Sequence, residues 1–325
     1  MSQPKVSVVM GVYNGARFLR EAVQSILDQT FKDFEFLIVN DGSTDVTARI
    51  LKEFCDPRIK VIENTRNEGL TRSLIKGCGI ARGEYIARMD ADDISYPMRL
   101  QKQVEFLEAN ADYSVAGTQF HFVDSSGKRR QTSGMPYLTE EIRQVLSRTQ
   151  SPVAHGSVMF VRHHILECGG YREVFRYAQD YDLWLRVMEK HKITNLKEVL
   201  YGLRFHREST TQQKSYYQLL FGELARRFAE MRGETGSDPL MRGEVEQVRQ
   251  EIESWWPDGI IQKGRIRSDS ALRLAHELVR WAKLSDVLLL WLKSVGNSPL
   301  NKEAWRFLVS KELRQRLSDT IKRRL

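Results

Sequence analysis

The sequence predicts an α/β protein with a Rossmann-like, mostly parallel sheet and an all-α C-terminal extension. In the first hundred residues, four short apolar runs alternate with segments whose apolar residues recur at helical spacing. This β-α-β-α-β-α-β order is typical of a parallel sheet with helices on both faces. After about residue 210 the strand pattern stops, and only helical segments follow.

The elements of the first hundred residues follow from this spacing. Strands are predicted over residues 6–10, 34–39, 59–62 and 84–89. Apolar residues at helical spacing predict a helix over 18–27, Ser43 or Thr44 can cap a second, and 70–80 forms a third. The carboxyl ends of parallel strands meet at one edge of a sheet, which is where ligands bind in such folds.

Beyond residue 100 the element order is mixed. Helices are predicted over 100–110 and 180–190, and strands over 114–123 and 157–161, with a turn at 124–127. Further helices are predicted near 213–232, 238–254, 268–284, 285–295 and 301–324. We therefore divide the chain into an α/β domain over 1–210 and a helical C-terminal domain over 211–325.

The composition is that of a globular protein, with 41% hydrophobic and 28% charged residues among 325. Three cysteines without C-x-x-C spacing argue against a disulfide framework, and no apolar stretch is long enough to span a bilayer. We expect a cytoplasmic protein. Residues 211–325 carry 21 Lys/Arg against 15 Asp/Glu, a net charge of +6, which suggests an anionic partner for this third of the chain.

Acidic residues follow two of the apolar runs. Asp90 and Asp92 stand two residues apart after the fourth predicted strand, and Asp41 follows the second. Paired carboxylates form a hard-oxygen site of the kind that Mg²⁺ or Mn²⁺ occupies with a bound diphosphate. The sequence therefore predicts a nucleotide-diphosphate site at the C-terminal edge of the sheet.

Five motifs in this order and spacing resemble glycosyltransferase family 2, whose members are inverting enzymes with a GT-A fold. They are VVMGVYN (8–14), NDGSTD (40–45), NEGL (67–70), ARGEYIARMDADD (81–93) and QDYDLWLR (179–186). Each motif is weak alone, and the set is specific. The resemblance covers roughly residues 5–210 and implies a nucleotide-binding half over 1–100 and an acceptor-binding half over 101–210.

The resemblance implies a set of donor-binding residues: Val12, Tyr13, Asp41, Arg72 and Asp90. Asp41 would accept the N3–H of uracil or thymine, although guanine also offers donors, so a UDP-sugar is favoured without the base being settled. As alternatives, Asp41 is an acid that stabilises a helix N-terminus, Tyr13 is a core tyrosine and Arg72 a solvated helix arginine.

The resemblance also implies the catalytic and metal residues. Asp92 would ligate Mn²⁺ or Mg²⁺, and His206 would complete the shell or be a surface histidine. Asp180 would be the general base, or simply the N-cap of its helix. The family usually has Glu-Asp at this motif, whereas this chain has Gln179 and then Asp180.

The acceptor side is the least defined part of the resemblance. His155 and Trp184 would line the pocket of a glycan or lipid-linked acceptor, and Trp184 in the core is the alternative. The last third holds five of the six tryptophans and ends in a basic run. A packed helical bundle is favoured there, and peripheral docking on an anionic membrane surface at the inner face is the other interpretation.

The favoured function is sugar transfer from a nucleotide-diphosphate donor to a hydroxyl acceptor, in bacterial surface polysaccharide or lipid-linked glycan synthesis. One alternative is a nucleotidyltransferase on a related sheet, but the loop over residues 11–17 lacks the Gly/Arg/Lys-rich character that holds a triphosphate. The other is a non-catalytic basic binding module. No recognisable nucleic-acid motif is present, so nucleic acid is not an expected partner.

Overall fold

The computed structural model describes residues 3–148, 151–206 and 210–254. Within these ranges nine strands form one sheet. The strands are β1 (Val6–Val12), β2 (Phe34–Asn40), β3 (Ile59–Glu63), β4 (Tyr85–Asp90), β5 (Ile94–Ser95), β6 (Tyr113–Val123), β7 (Arg129–Thr132), β8 (Met159–Val161) and β9 (Lys192–Arg204).

The helices of the described ranges are α1 (Leu19–Leu27), α2 (Thr47–Lys52), α3 (Leu70–Ile80), α4 (Arg99–Ala109), α5 (Thr139–Ser147), α6 (Arg162–Glu167), α7 (Gln179–Val187), α8 (Thr210–Thr235) and α9 (Val245–Ser254). A short 3₁₀ turn, His155–Ser157, precedes β8. The helices predicted after residue 254, and the tryptophans on them, lie outside the described residues. None of the described helices is both long and apolar enough to cross a bilayer.

The strand order is β3-β2-β1-β4-β8-β6-β9-β5, with β7 paired to β6. The first four strands pair in parallel, as the sequence predicts. β8 runs antiparallel to both β4 and β6, and β9 is parallel to β6. Because two antiparallel pairings restore the direction, β9 ends at the same edge as β1, β2 and β4. The predicted α/β fold class with helices after residue 210 is confirmed.

One cluster of the hydrophobic core packs on the face of the parallel strands that α1 covers. β1 and β2 are buried along almost their whole length because both sheet faces are covered, and their sequences are correspondingly near-continuous apolar runs. The buried face of α1 is made by Leu19, Ala22, Val23 and Ile26, which recur at helical spacing. These residues join the side chains of β1, β2 and β4 in one cluster.

β9 is the main element that sequence patterns miss. It is thirteen residues long, but its burial alternates irregularly, and its pairing with β6 contains three register shifts. Polar residues such as Asn195 and Arg204 interrupt its apolar pattern and are themselves buried. A strand with this irregularity has no clean period of two, so its signal falls below that of the parallel strands.

The residues of the sheet form a compact unit of their own. It comprises residues up to His206 together with Phe221–Gly236, the second half of α8. Residues 210–220 and 237–254 belong to a second unit. The domain boundary at residue 210 stays a prediction.

A pair of glycines in α3 tests how closely this helix packs on the sheet. A Cβ at Gly77 would lie 2.6 Å from Val9 Cγ1, whereas one at the exposed Gly79 would meet no heavy atom within 4 Å. Gly77→Ala is expected to lower the free energy of unfolding by about 1–3 kcal/mol through overpacking. Gly79→Ala should raise it by about 0.5–1 kcal/mol, because alanine favours a helix. Urea unfolding measures both, and equal effects would contradict the packing described.

Candidate active site

Three carboxylates, those of Asp90, Asp92 and Asp93, lie where β4 ends at the C-terminal edge of the sheet, and Asp93 is the one bonded to β9. Asp93 is buried and accepts hydrogen bonds from the Tyr201 hydroxyl at 2.8 Å and from the Arg204 backbone N–H at 2.6 Å. Both donors belong to β9. Asp93 therefore fastens the loop after β4 to β9, and Asp92 is left with a partly exposed side chain.

Asp92 lies against His206, which follows β9. The distance from Asp92 Oδ2 to His206 Nε2 is 2.8 Å. The His206 ring packs on Phe18 with centroids 5.0 Å apart, and its buried Nδ1 has no hydrogen-bond partner among the described residues. Arg204 fixes the loop after β4, because its Nε donates a hydrogen bond of 2.6 Å to the Asp92 carbonyl oxygen. The structure thus brings together two residues that the sequence separates by more than a hundred positions.

The ligand atoms of Asp92 and His206 are of the kinds that bind a divalent cation. It offers one hard carboxylate oxygen and one imidazole nitrogen, a set that suits Mn²⁺ better than Mg²⁺. No cluster of three His, Cys, Asp or Glu side chains suitable for a metal occurs within the described ranges. A cation at Asp92 and His206 would therefore complete its shell with oxygens from a diphosphate and water, which is usual for nucleotide-binding metals.

Asp90 is held by a buried arginine that sequence reasoning left without a role. Arg88 is fully buried, and its Nη2 lies 2.5 Å from Asp90 Oδ1. Burial raises the pKa of Asp90, and the nearby guanidinium of Arg88 opposes this rise. A Cβ at Gly156 would lie 2.6 Å from Asp90 Oδ2, so the 3₁₀ turn approaches the carboxylate closely only because residue 156 is glycine. The available signal was an arginine inside an apolar strand, two residues before Asp90 and so on the same face.

A second buried arginine lies beneath these carboxylates. Arg99 Nη2 donates to the carbonyl oxygens of Arg88 at 2.6 Å and Val158 at 3.1 Å, and its guanidinium lies over the Tyr201 ring. Burial lowers the pKa of Arg99 to about 10. Arg99 therefore remains a cation at neutral pH and joins β4 to Val158, the residue before β8.

Asp180 is the second residue of α7 and is partly exposed. The N-cap position belongs to Ala178, so the interpretation of Asp180 as the N-cap is wrong. Burial raises the pKa of its carboxyl, backbone N–H groups of the helix start oppose this, and the Asp90 carboxylate raises it further. Asp180 therefore lies within electrostatic range of Asp90, and its carboxylate is more basic than an ordinary aspartate.

The two predicted acceptor residues lie side by side. The His155 and Trp184 rings meet edge to face with centroids 6.3 Å apart, and Trp184 is fully buried. His155 Nε2 and the Tyr171 hydroxyl are 2.8 Å apart. Burial, together with Arg88, lowers the pKa of His155 well below its usual range, so the imidazole is neutral at pH 7.

Three of the five predicted donor-binding residues, Val12, Tyr13 and Asp41, lie at the ends of β1 and β2. The Val12 carbonyl oxygen accepts the Asp41 backbone N–H at 2.8 Å. Val12 is buried, while Tyr13 is 47% exposed and is therefore not a core tyrosine. Arg72, in the first turn of α3, forms an exposed ion pair with Glu173 at 2.7 Å. Arg72 thus has a protein partner where the sequence predicts contact with a phosphate.

Asp41 already makes several hydrogen bonds within the protein. Its Oδ1 accepts from Asn64 Nδ2 at 2.8 Å and from the Glu68 N–H at 2.9 Å, and its Oδ2 accepts from the Gly69 N–H at 2.8 Å. An ionised carboxylate has about four acceptor positions, so one remains on Oδ2. Asp41 therefore shapes the loop that leads into α3 and keeps a single acceptor position for another group.

The chain is similar to known glycosyltransferases over about two thirds of its length. The family model for glycosyl transferase family 2 matches residues 7–170. The putative glycosyltransferase EpsE of Bacillus subtilis (strain 168) is 39% identical over 224 residues, which cover 67% of this chain and 79% of that protein. The O-antigen biosynthesis glycosyltransferase WbnJ of Escherichia coli is 32% identical over 220 residues, covering 66% and 85%.

Solved structures share the fold at low sequence identity. S. aureus TarS 1-349 in complex with UDP-GlcNAc matches with a TM-score of 0.61 and 16% identity, covering 93% of this chain and 91% of that chain. The mannosyltransferase PcManGT of Pyrobaculum calidifontis, in complex with GDP-Man and Mn²⁺, matches with a TM-score of 0.56 and 16% identity, covering 97% and 83%. The predicted GT-A fold is confirmed.

The Tyr201 hydroxyl donates to Asp93 and also accepts the Asp90 backbone N–H at 3.4 Å, and its removal tests these bonds together. Tyr201→Phe is expected to lower the free energy of unfolding by about 1–3 kcal/mol, because the buried Asp93 loses a donor. Tyr113→Phe is the matched control, since the hydroxyl of Tyr113 makes no hydrogen bond to any described residue. Chemical denaturation measures both variants, and equal losses would contradict a specific role for the Tyr201 hydroxyl.

Proposed function

Because the chain belongs to glycosyl transferase family 2, we propose that it is an inverting enzyme that moves a sugar from a nucleotide-diphosphate donor to a hydroxyl acceptor. The observation that carries the proposal is the 2.8 Å contact between Asp92 and His206 at the C-terminal edge of the sheet. It joins the loops after β4 and β9 where α/β folds bind their ligands. Asp180, with its raised pKa, is the base that this site requires.

The proposed step is a single displacement. The acceptor oxygen attacks the anomeric carbon of the sugar as its proton passes to the Asp180 carboxylate. The bond from that carbon to the diphosphate oxygen breaks, and its electron pair leaves with the nucleoside diphosphate. Attack from the face opposite the leaving group inverts the anomeric configuration, as in inverting glycoside chemistry. A carboxylate with a raised pKa accepts the proton more readily than an ordinary aspartate.

Asp92 and His206 would hold the cation, Mn²⁺ being favoured over Mg²⁺ by the imidazole ligand. A cation bound there would neutralise charge on the departing diphosphate. The similar protein PcManGT, whose structure contains GDP-Man and Mn²⁺, supports this assignment. Arg88 keeps the neighbouring Asp90 in position through its 2.5 Å contact. The orientation of the Asp90 carboxylate would therefore be set before a donor binds.

The donor favoured is a UDP-sugar. Asp41 would accept a base N–H at the acceptor position left on Oδ2, Tyr13 is exposed enough to stack on the base, and Val12 lies beside both. Arg72 would reach a phosphate only by exchanging its partner Glu173. The structures of TarS with UDP and UDP-GlcNAc, and of PcManGT with GDP-Man, support a nucleotide-diphosphate donor, and between them they contain two different bases.

The acceptor would be a glycan or a lipid-linked sugar in surface polysaccharide synthesis, a setting supported by the name of the O-antigen relative from E. coli. His155 would border the acceptor side of the site, and Trp184, which is fully buried as the core alternative predicts, packs against its ring. Cytoplasmic location, and docking of residues 211–325 on an anionic membrane surface, are further parts of the proposal. They draw on the net charge of +6 in that third.

Replacement of the base separates chemistry from binding. Asp180→Asn is expected to lower kcat by about 10²–10⁴-fold, because the amide cannot accept the acceptor's proton, while nucleotide binding persists. In the parent, kcat/KM should rise with pH until Asp180 is ionised, with an apparent pKa above the ordinary value of about 3.9. That limb should vanish in the variant. Initial rates over a pH series measure this, and a parental rate in Asp180→Asn would refute the base assignment.

Loss of a metal ligand has a readout that needs no catalysis. Mn²⁺ with UDP is expected to raise the melting temperature of the parent, because both bind the native state. Asp92→Ala and His206→Ala should each lose the Mn²⁺-dependent part of this rise. His163→Ala, at an exposed histidine outside the site, serves as the control and should keep it. A full Mn²⁺-dependent rise in both site variants would exclude this pair as the ligands.

A further inference from the structure

The segment over residues 171–178, between α6 and α7, leads directly to Asp180. It ends at Ala178, whose backbone is left-handed with φ 52° and ψ 28°. This conformation is uncommon for a residue with a Cβ, and it persists only where the surrounding structure imposes it. The fold must therefore supply contacts that hold this segment in place.

One such contact comes from the first turn of α3. Thr71 Oγ1 donates a hydrogen bond of 2.7 Å to the carbonyl oxygen of Phe175, and both residues are buried. The neighbouring pair of Arg72 and Glu173 is exposed, and surface pairs of this kind contribute little. The buried bond from Thr71 is thus the stronger link between α3 and the segment.

Another contact comes from the second half of α8, which belongs to the same compact unit. The Phe175 ring lies 6.2 Å from the Phe221 ring and 6.1 Å from the Phe228 ring, between centroids, and all three side chains are fully buried. Tyr177 also packs on Phe221, with centroids 5.8 Å apart. Aromatic contacts of this geometry are specific as well as apolar.

We propose that Thr71 and Phe175 are positioning residues for sugar transfer. They hold the 171–178 segment between α3 and α8, maintain the left-handed backbone at Ala178, and so direct the Asp180 carboxylate toward the acceptor oxygen. The inference rests on the proposed role of Asp180 as base. Its physical basis is that a relaxed Ala178 would rotate the first turn of α7, and a displacement of about 1 Å at a reacting group costs about 10²-fold in rate.

The hydroxyl of Thr71 gives the first test in the full-length protein. Thr71→Val is expected to lower kcat by about 10- to 100-fold, while the donor KM and the melting-temperature rise with UDP and Mn²⁺ stay at parental values. Thr71→Ser, which keeps the hydroxyl, should restore kcat. Thr118→Val is the matched control, because Thr118 is equally buried and its hydroxyl has no partner among the described residues. It should leave kcat unchanged.

Ala178→Gly separates positioning from stability. Glycine adopts the left-handed conformation without strain, so the melting temperature is expected to stay level or rise. The rate should nevertheless fall by about tenfold, because glycine no longer restricts the start of α7. A merely structural role would move rate and melting temperature in the same direction, so that outcome would overturn the proposal.

A double substitution separates this proposal from the assignment of the base. If Thr71 acts through Asp180, Thr71→Val should not further lower the residual rate of Asp180→Asn. An equal loss in both backgrounds would overturn the positioning role. If Asp180→Asn is inactive while Thr71→Val and Ala178→Gly keep the parental kcat, the positioning proposal is wrong and the base stands. A parental rate in Asp180→Asn would instead remove the base assignment.

Discussion

The acidic edge of the sheet depends on buried cations. Three carboxylates within four residues repel one another, and burial adds a desolvation cost to each charge. The protein meets this with guanidiniums inside the fold: Arg88 contacts the Asp90 carboxylate, and Arg204 donates to the Asp92 carbonyl oxygen. Without these cations the loop after β4 could not hold its charges so near the core. The position of the Asp92 backbone beside β9 depends on the second of these contacts.

The same constraint divides the carboxylates by task. Asp93 has its hydrogen bonds supplied by β9, so it serves the fold, whereas Asp92 reaches His206 from the open side. Arg204 connects the two residues, because its backbone N–H donates to Asp93 and its Nε donates to the Asp92 carbonyl oxygen. Its side chain also contacts Glu21 on α1. The site is therefore supported by β4, β9 and α1 of the compact unit. Its residues are held in place before a ligand binds.

The sequence predicts the first half of the fold well, because parallel strands covered on both faces have continuous apolar runs and helices of regular period. It predicts β9 poorly, because buried polar residues such as Asn195 break the alternation. The contact of Asp92 with His206 joins a residue of the fourth motif to one that lies outside all five, and the chemical roles of both remain predictions. The three bonds of Asp41 depend on tertiary partners that no local pattern indicates, whereas Arg88 has a local signal in its place two residues before Asp90 on the same strand.

The packing of Phe175 on α8 also has a consequence for how the chain matures. During synthesis the strands of the sheet emerge first, and N-terminal parts generally fold before the rest. The Phe175 ring, however, gains its aromatic neighbours only when Phe221 and Phe228 have left the ribosome. A nascent chain that ends just after β9 contains every strand of the sheet but lacks these aromatic neighbours of Phe175. The segment before α7 therefore gains its full packing later than the sheet does.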